Sequence, residues 1–142
     1  MELWLIYELF SAVTAALVAI FGKIGLQGMD SGSATAIRAA IMAFFLIGVA
    51  LFQGKGGQIQ NILGDKRAMA WIALSGIAGA LSWLFYFLAL KHGKVSQVAP
   101  VDKLSVVIAA VLAVTFLHEK ISLAASGGIV MITIGVVMVA LG

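Results

Sequence analysis

Apolar residues in this chain are gathered into five long blocks. They run from Leu3 to Gly22, about Ala34 to Phe52, Ala68 to Leu90, Val95 to Phe116 and Leu123 to Leu141. A bilayer core about 30 Å thick takes roughly 20 helical residues to cross. Each block has that length, so the pattern predicts an all-α, polytopic membrane protein with five transmembrane helices. Strands of a membrane barrel would alternate every second residue, and these blocks do not. The connections are short except Gln53 to Arg67, where Gly54, Gly56 and Gly57 predict a flexible surface loop. A cleaved signal peptide is not expected, because the first block is too long and the opening Met-Glu-Leu-Trp supplies no basic segment.

Composition agrees with lipid as the solvent. The 142 residues are 63% hydrophobic and 11% charged, where soluble domains carry about half and a quarter. No stretch is left for a second, soluble core, so residues 1–142 read as one domain. Cysteine is absent, which excludes a disulfide framework and thiolate metal sites. His92 and His118 lack neighbours at metal-ligand spacing, so neither metal nor cofactor is expected. The net charge of +3 comes from basic residues set singly or in pairs between apolar blocks. That is charge at a membrane surface, not a nucleic-acid patch. An enzyme is not expected, because no Ser–His–carboxylate set shares a face.

Orientation turns on the loop cations, which normally accumulate on the cytoplasmic side. Five crossings put Lys55, Lys66, Arg67 and Lys120 on the face of the N-terminus and Lys23, Arg38, Lys91 and Lys94 on the other. Lys103 falls inside a block. A balance of four against four predicts dual topology, with copies inserted both ways. The competing reading is that Lys23 and Arg38 snorkel to the surface and count weakly.

Charge inside the blocks is the most informative chemistry, because burying it in lipid is expensive. Glu8 lies about 8 Å in from Leu3, and Asp102 and Lys103 about 10–12 Å in from Val95, at 1.5 Å per helical residue. Each is a candidate substrate-binding or coupling group. The alternatives are a carboxylate near the headgroups for Glu8 and an anchoring ion pair for Asp102 and Lys103. Pro100 is either harmless in the first turns of the fourth helix or a break that opens backbone to a ligand. Trp4 and Trp71 sit at helix ends, as interfacial aromatics do. Trp83 lies deeper, about 22 Å along the third helix from Ala68. It is either a packing residue or a cavity wall able to hold a cation over its ring. Tyr86 shares a stripe with Ser75, Gly79 and Ser82. Gly79, and Gly128 and Gly135 one heptad apart, predict helix-packing seams, as do Ala12, Ala15, Ala19 and Gly22 on the stripe of Glu8.

One stretch carries more than hydrophobicity. Ser75-Gly76-Ile77-Ala78-Gly79-Ala80-Leu81-Ser82-Trp83-Leu84-Phe85-Tyr86 is followed by Ala89-Leu90 and then by Val98-Ala99-Pro100-Val101-Asp102-Lys103-Leu104-Ser105-Val106-Val107. Phe116-Leu117, Glu119 and Gly128 come downstream. This run resembles the EamA domain of the drug/metabolite transporter superfamily, in its small five-helix bacterial and archaeal branch. Lys23-Ile24-Gly25 and Ser31 to Arg38 extend the likeness over nearly the whole chain. Two positions depart from it. Leu88 stands where many relatives carry a basic residue, and His118 precedes Glu119 where glycine is common.

The resemblance implies alternating-access transport of a small metabolite across a prokaryotic inner or plasma membrane. It implies that the chain is one half of a ten-helix inverted-repeat transporter, since larger relatives are similar to two such units fused in opposite orientations. Smaller four-helix drug exporters of the superfamily exchange protons for substrate on a helix-one glutamate, a position similar to that of Glu8. Midplane sites in such transporters form between inverted repeats. An antiparallel dimer is therefore expected, a homodimer or a heterodimer with a homologue, with Glu8 facing Lys103 across its interface. The alternative function is a non-transporting membrane scaffold or partner subunit, which would need helix contacts but no buried charge.

Overall fold

The computed structural model describes residues 3–142. Its helices are α1 (Leu3–Gly25), α2 (Ser31–Phe52), α3 (Gly56–Gly64), α4 (Lys66–His92), α5 (Val95–Asp102), α6 (Leu104–Phe116) and α7 (Leu123–Leu141). Five spans have the length and composition to cross a bilayer: α1, α2, α4, the α5–α6 stretch Val95–Phe116, and α7.

Side-chain caps mark where the spans begin. The Asp30 carboxylate accepts the Ser33 N–H at 2.7 Å before α2, and Ser122 Oγ accepts the Ala125 N–H at 3.1 Å before α7. Asp65 Oδ1 accepts the N–H groups of Arg67 and Ala68 at 2.9 and 3.1 Å as α4 starts. Each bond satisfies a donor that the first helical turn leaves unpaired. Gly28 turns the chain between α1 and α2 with a φ of 73°, a conformation costly to residues with a Cβ.

Two expectations need correcting. The segment Gln53 to Arg67 is not all flexible loop, because α3 occupies Gly56–Gly64. Ile59, Ile62 and Leu63 recur at the spacing of one helix face, and that stripe outweighs the glycines at the start. The fourth apolar block is not one continuous helix. It breaks at Lys103, three residues after Pro100. Pro100 has no N–H to donate to the preceding turn. Beyond it the bonds tighten to three-residue spacing, Lys103 N–H to Pro100 O and Val106 N–H to Lys103 O, both 3.0 Å. The interruption is a single turn, and Val95–Phe116 keeps the length of one span.

The chain divides into two compact units. One comprises α1 as far as Ile20 together with His92–Gly142; the other is Phe21–Lys91. In the Phe21–Lys91 unit, Leu26, Ser31, Thr35, Phe87 and Leu90 are buried. A Cβ placed on Gly22 would overlap the Phe87 ring, so glycine is what lets the end of α1 approach α4. The Lys23 ammonium donates to the Leu90 carbonyl, satisfying an acceptor in the last turn of α4 and complementing its dipole. In the other unit α7 packs on α5 and α6, and Ala19 and Val136 are buried. Most large apolar side chains point outward, Phe44 at 78% exposure and Leu123 at 93% among them. An outward apolar surface of this extent is what a bilayer covers.

Candidate functional site

The Phe21–Lys91 unit holds a groove of about 590 Å³ between α2 and α4. Glycine and alanine build it: Gly76, Gly79 and Ala80 on α4 face Gly32, Ala36 and Ala39 on α2. Small side chains leave space where bulky ones would interdigitate. Arg38 and Trp83 stand in the same lining, with the guanidinium carbon 3.8 Å from the centroid of the Trp83 ring and 5.1 Å from that of Phe87. Trp83 also meets Tyr86 edge to face at 5.6 Å and Phe87 at 5.7 Å. The aromatic cluster is thus fixed from several sides and presents one ring face to a cation. Such an arrangement contributes about 0.5–2 kcal/mol, more as water is excluded.

The depths are consistent with a cation held within the membrane. Arg38 is about 10 Å along α2 from Ser31, and Trp83 about 13 Å back from His92 along α4, at 1.5 Å per residue. Asp30, in the loop that leads into α2, does not neutralise Arg38. Its carboxylate is occupied by the Ser33 backbone N–H, which holds it below the ordinary carboxylate range, with a smaller pull from Lys91.

The other unit carries the remaining charged candidates. Asp102 and Lys103 form an ion pair at 3.4 Å at the break between α5 and α6. With side chains 37% and 55% exposed, a pair of this kind contributes little stability by itself. Glu8 lies on an outward-facing stretch of α1 with Ser11, Ala12 and Ala15. Among the described residues its carboxylate has no ion-pair partner.

Of the residues singled out in the sequence, the structure joins Trp83 with Tyr86 and Asp102 with Lys103, and sets Gly79 in the groove wall. Gly128 and Gly135 have open space where a Cβ would stand, so no described side chain packs on that seam. Arg38 is what the sequence reading missed. It was counted among surface cations, but its charge is turned onto Trp83. Its place in the third turn of an otherwise apolar span was the available signal. Its removal from the tally leaves four loop cations, Lys55, Lys66, Arg67 and Lys120, against three, Lys23, Lys91 and Lys94.

Bilayer-length helices, outward apolar surface and an intramembrane cation define a multi-pass α-helical membrane protein. The chain matches the EamA-like transporter family over residues 2–141 and belongs to it. It is 39% identical over 137 residues to a protein of Sinorhizobium sp named as an uncharacterized transporter in the cobO 3' region, with 96% of each chain covered. It is 29% identical over 80 residues to an uncharacterized protein of Methanocaldococcus jannaschii, covering 56% of this chain and 58% of that one. No solved structure matches it. The family and the Sinorhizobium relative point to a membrane transporter rather than an enzyme.

Proposed function

We propose that this chain is one half of a secondary transporter of the prokaryotic cell membrane. It moves a small metabolite by alternating access and works as an antiparallel dimer, most simply a homodimer. The observation that carries the substrate site is the cation of Arg38, held over Trp83 in a groove large enough for a metabolite. A scaffold would have no use for a charge kept there, since isolated charge in a span is costly and usually marks a solute path.

Three observations support the dimer. Loop cations remain nearly balanced between the faces. The seam of Gly128 and Gly135 lies open, as a helix surface awaiting a partner would. Glu8 is exposed and has no ion-pair partner among the described residues, and the Asp102–Lys103 pair is exposed at the turn between α5 and α6. In an inverted second copy, Glu8 falls about 8 Å from the face that Asp102 and Lys103 approach to about 10–12 Å. Glu8 then faces the Lys103 ammonium of its partner. A proton taken up by Glu8 removes that attraction, and the exchange couples proton movement to substrate movement.

A thermal-stabilisation screen of metabolites on the purified protein identifies the ligand, because a ligand that binds the folded state raises the apparent Tm by mass action. Uptake of that ligand into proteoliposomes, with and without a pH gradient, then tests the mechanism. Gradient-driven uptake is expected, and Glu8→Gln is expected to abolish the pH dependence while leaving a folded dimer. Unchanged pH-dependent uptake in Glu8→Gln removes the coupling role, and failure of every stabilising ligand to be transported removes the transporter reading.

A further inference from the structure

The groove between α2 and α4 has a charge character that membership of a transporter family does not supply. Its polar lining consists of Thr35, Arg38 and Trp83. The Thr35 hydroxyl donates to the Ser31 carbonyl at 2.7 Å. Trp83 offers only an indole N–H, and a guanidinium offers five N–H donors and no acceptor. Among the described residues the Arg38 side chain touches two aromatic rings and neither an ion-pair partner nor a hydrogen-bond acceptor. Among the described residues no carboxylate lines the groove.

The ring stabilises the positive charge through its quadrupole but accepts no proper hydrogen bond, so the guanidinium donors remain available. In lipid their cheapest partner is a planar oxyanion able to take two of them side by side. The rest of the groove is apolar and walled by glycine, alanine, Met42 and Leu84, which suits a flat or hydrocarbon body. We infer that the groove recognises a small organic carboxylate, its anionic head on Arg38 and its apolar body along Trp83. This rests on the groove being the transporter's substrate site, and names the class of substrate for it.

Three probes of one shape and different charge test it: benzoate, benzamide and benzylamine. A Trp4→Phe, Trp71→Phe chain keeps Trp83 as its one tryptophan, so indole emission reports this groove alone. Both replaced residues lie at span ends and are exposed, which spares the fold. Purified and titrated in nanodiscs, this chain is expected to bind benzoate at least about tenfold more tightly than benzamide, the scale of a charge-assisted hydrogen bond, and benzylamine more weakly still. Arg38→Gln in the same background is expected to erase the preference, and Arg38→Lys to retain part of it. Equal binding of benzamide or benzylamine overturns the carboxylate assignment while the groove stands as a binding site. Absence of any response to all three overturns the assignment and the groove together. Should Arg38→Gln fail to fold, the charge series on the arginine-bearing chain already decides.

Discussion

The two units solve helix packing differently. In Phe21–Lys91 the contacts close on themselves: Gly22 admits Phe87, Lys23 caps the Leu90 carbonyl, and Arg38 lies against Trp83 and Phe87. In the unit built from His92–Gly142 and the start of α1, α7 packs on α5 and α6, while several outward small and charged residues stay open. Among the described residues nothing stands where a Cβ of Gly128 or Gly135 would lie, as is also true of Gly76 and Gly79 in the groove wall, Glu8 has no ion-pair partner, and Asp102 and Lys103 sit exposed at the turn between α5 and α6. The first arrangement suits a preformed ligand groove. The second suits a surface completed by another protomer. A span surface can be stable in lipid without being complete in function, because lipid tails satisfy apolar side chains as well as a neighbouring helix does.

The glycines give the largest contrast. Gly22→Val sets a Cβ on the Phe87 ring and is expected to cost about 1–3 kcal/mol, the range for overpacking. It should be read as a lower melting temperature of the purified protomer. Gly128→Val is expected to leave that temperature nearly unchanged and instead to lower the dimer fraction in cross-linking or single-molecule counting. A stable Gly22→Val protein would break the distinction.

The cations come next. Arg38→Met is expected to cost about 1 kcal/mol through loss of the cation–aromatic contact, and Lys103→Met less than about 0.5 kcal/mol, because the exposed ion pair is weak. Thermal unfolding of both variants in one detergent compares them directly. Equal losses would mean that Arg38 is no better held than a surface charge.

A smaller effect sharpens the picture at the entry to α2. Asp30 caps that helix with a carboxylate held below its ordinary pKa of 3.8. A group depressed on folding stabilises fully above its unfolded pKa and loses that contribution as pH falls through the folded value. Stability from this cap should therefore be constant from neutral pH down to about 4 and decline below. Asp30→Asn keeps the side-chain acceptor and is expected to flatten the decline, measured as Tm against pH.

The five spans were legible because a bilayer requires long apolar segments, and little else produces them. α3 was obscured by Gly56 and Gly57, although Ile59, Ile62 and Leu63 already traced a helical stripe. Pro100 announced trouble in the fourth span, but only the backbone shows the ladder failing at Lys103. The contact of Arg38 with Trp83 joins residues far apart in sequence, and nothing local to either predicts the other. His118 is instructive: its φ of 54° is a left-handed conformation that favours glycine. A glycine, the residue that the family resemblance leads one to expect here, would adopt that conformation without steric cost. The outward seam of Gly128 and Gly135 and the exposed carboxylate of Glu8 have no local sequence signature that sets them apart from lipid-facing surface.

The central claim is that the functional unit is two copies in opposite orientations, and the absence of cysteine makes it directly measurable. Gln58→Cys places one thiol on an exposed position of α3, between the second and third spans. Intact cells are treated with a membrane-impermeant maleimide, and the remaining thiols are counted after permeabilisation. An antiparallel homodimer predicts that about half of the copies label from outside and the rest only after the membrane is opened. Labelling of all copies from one side would contradict it.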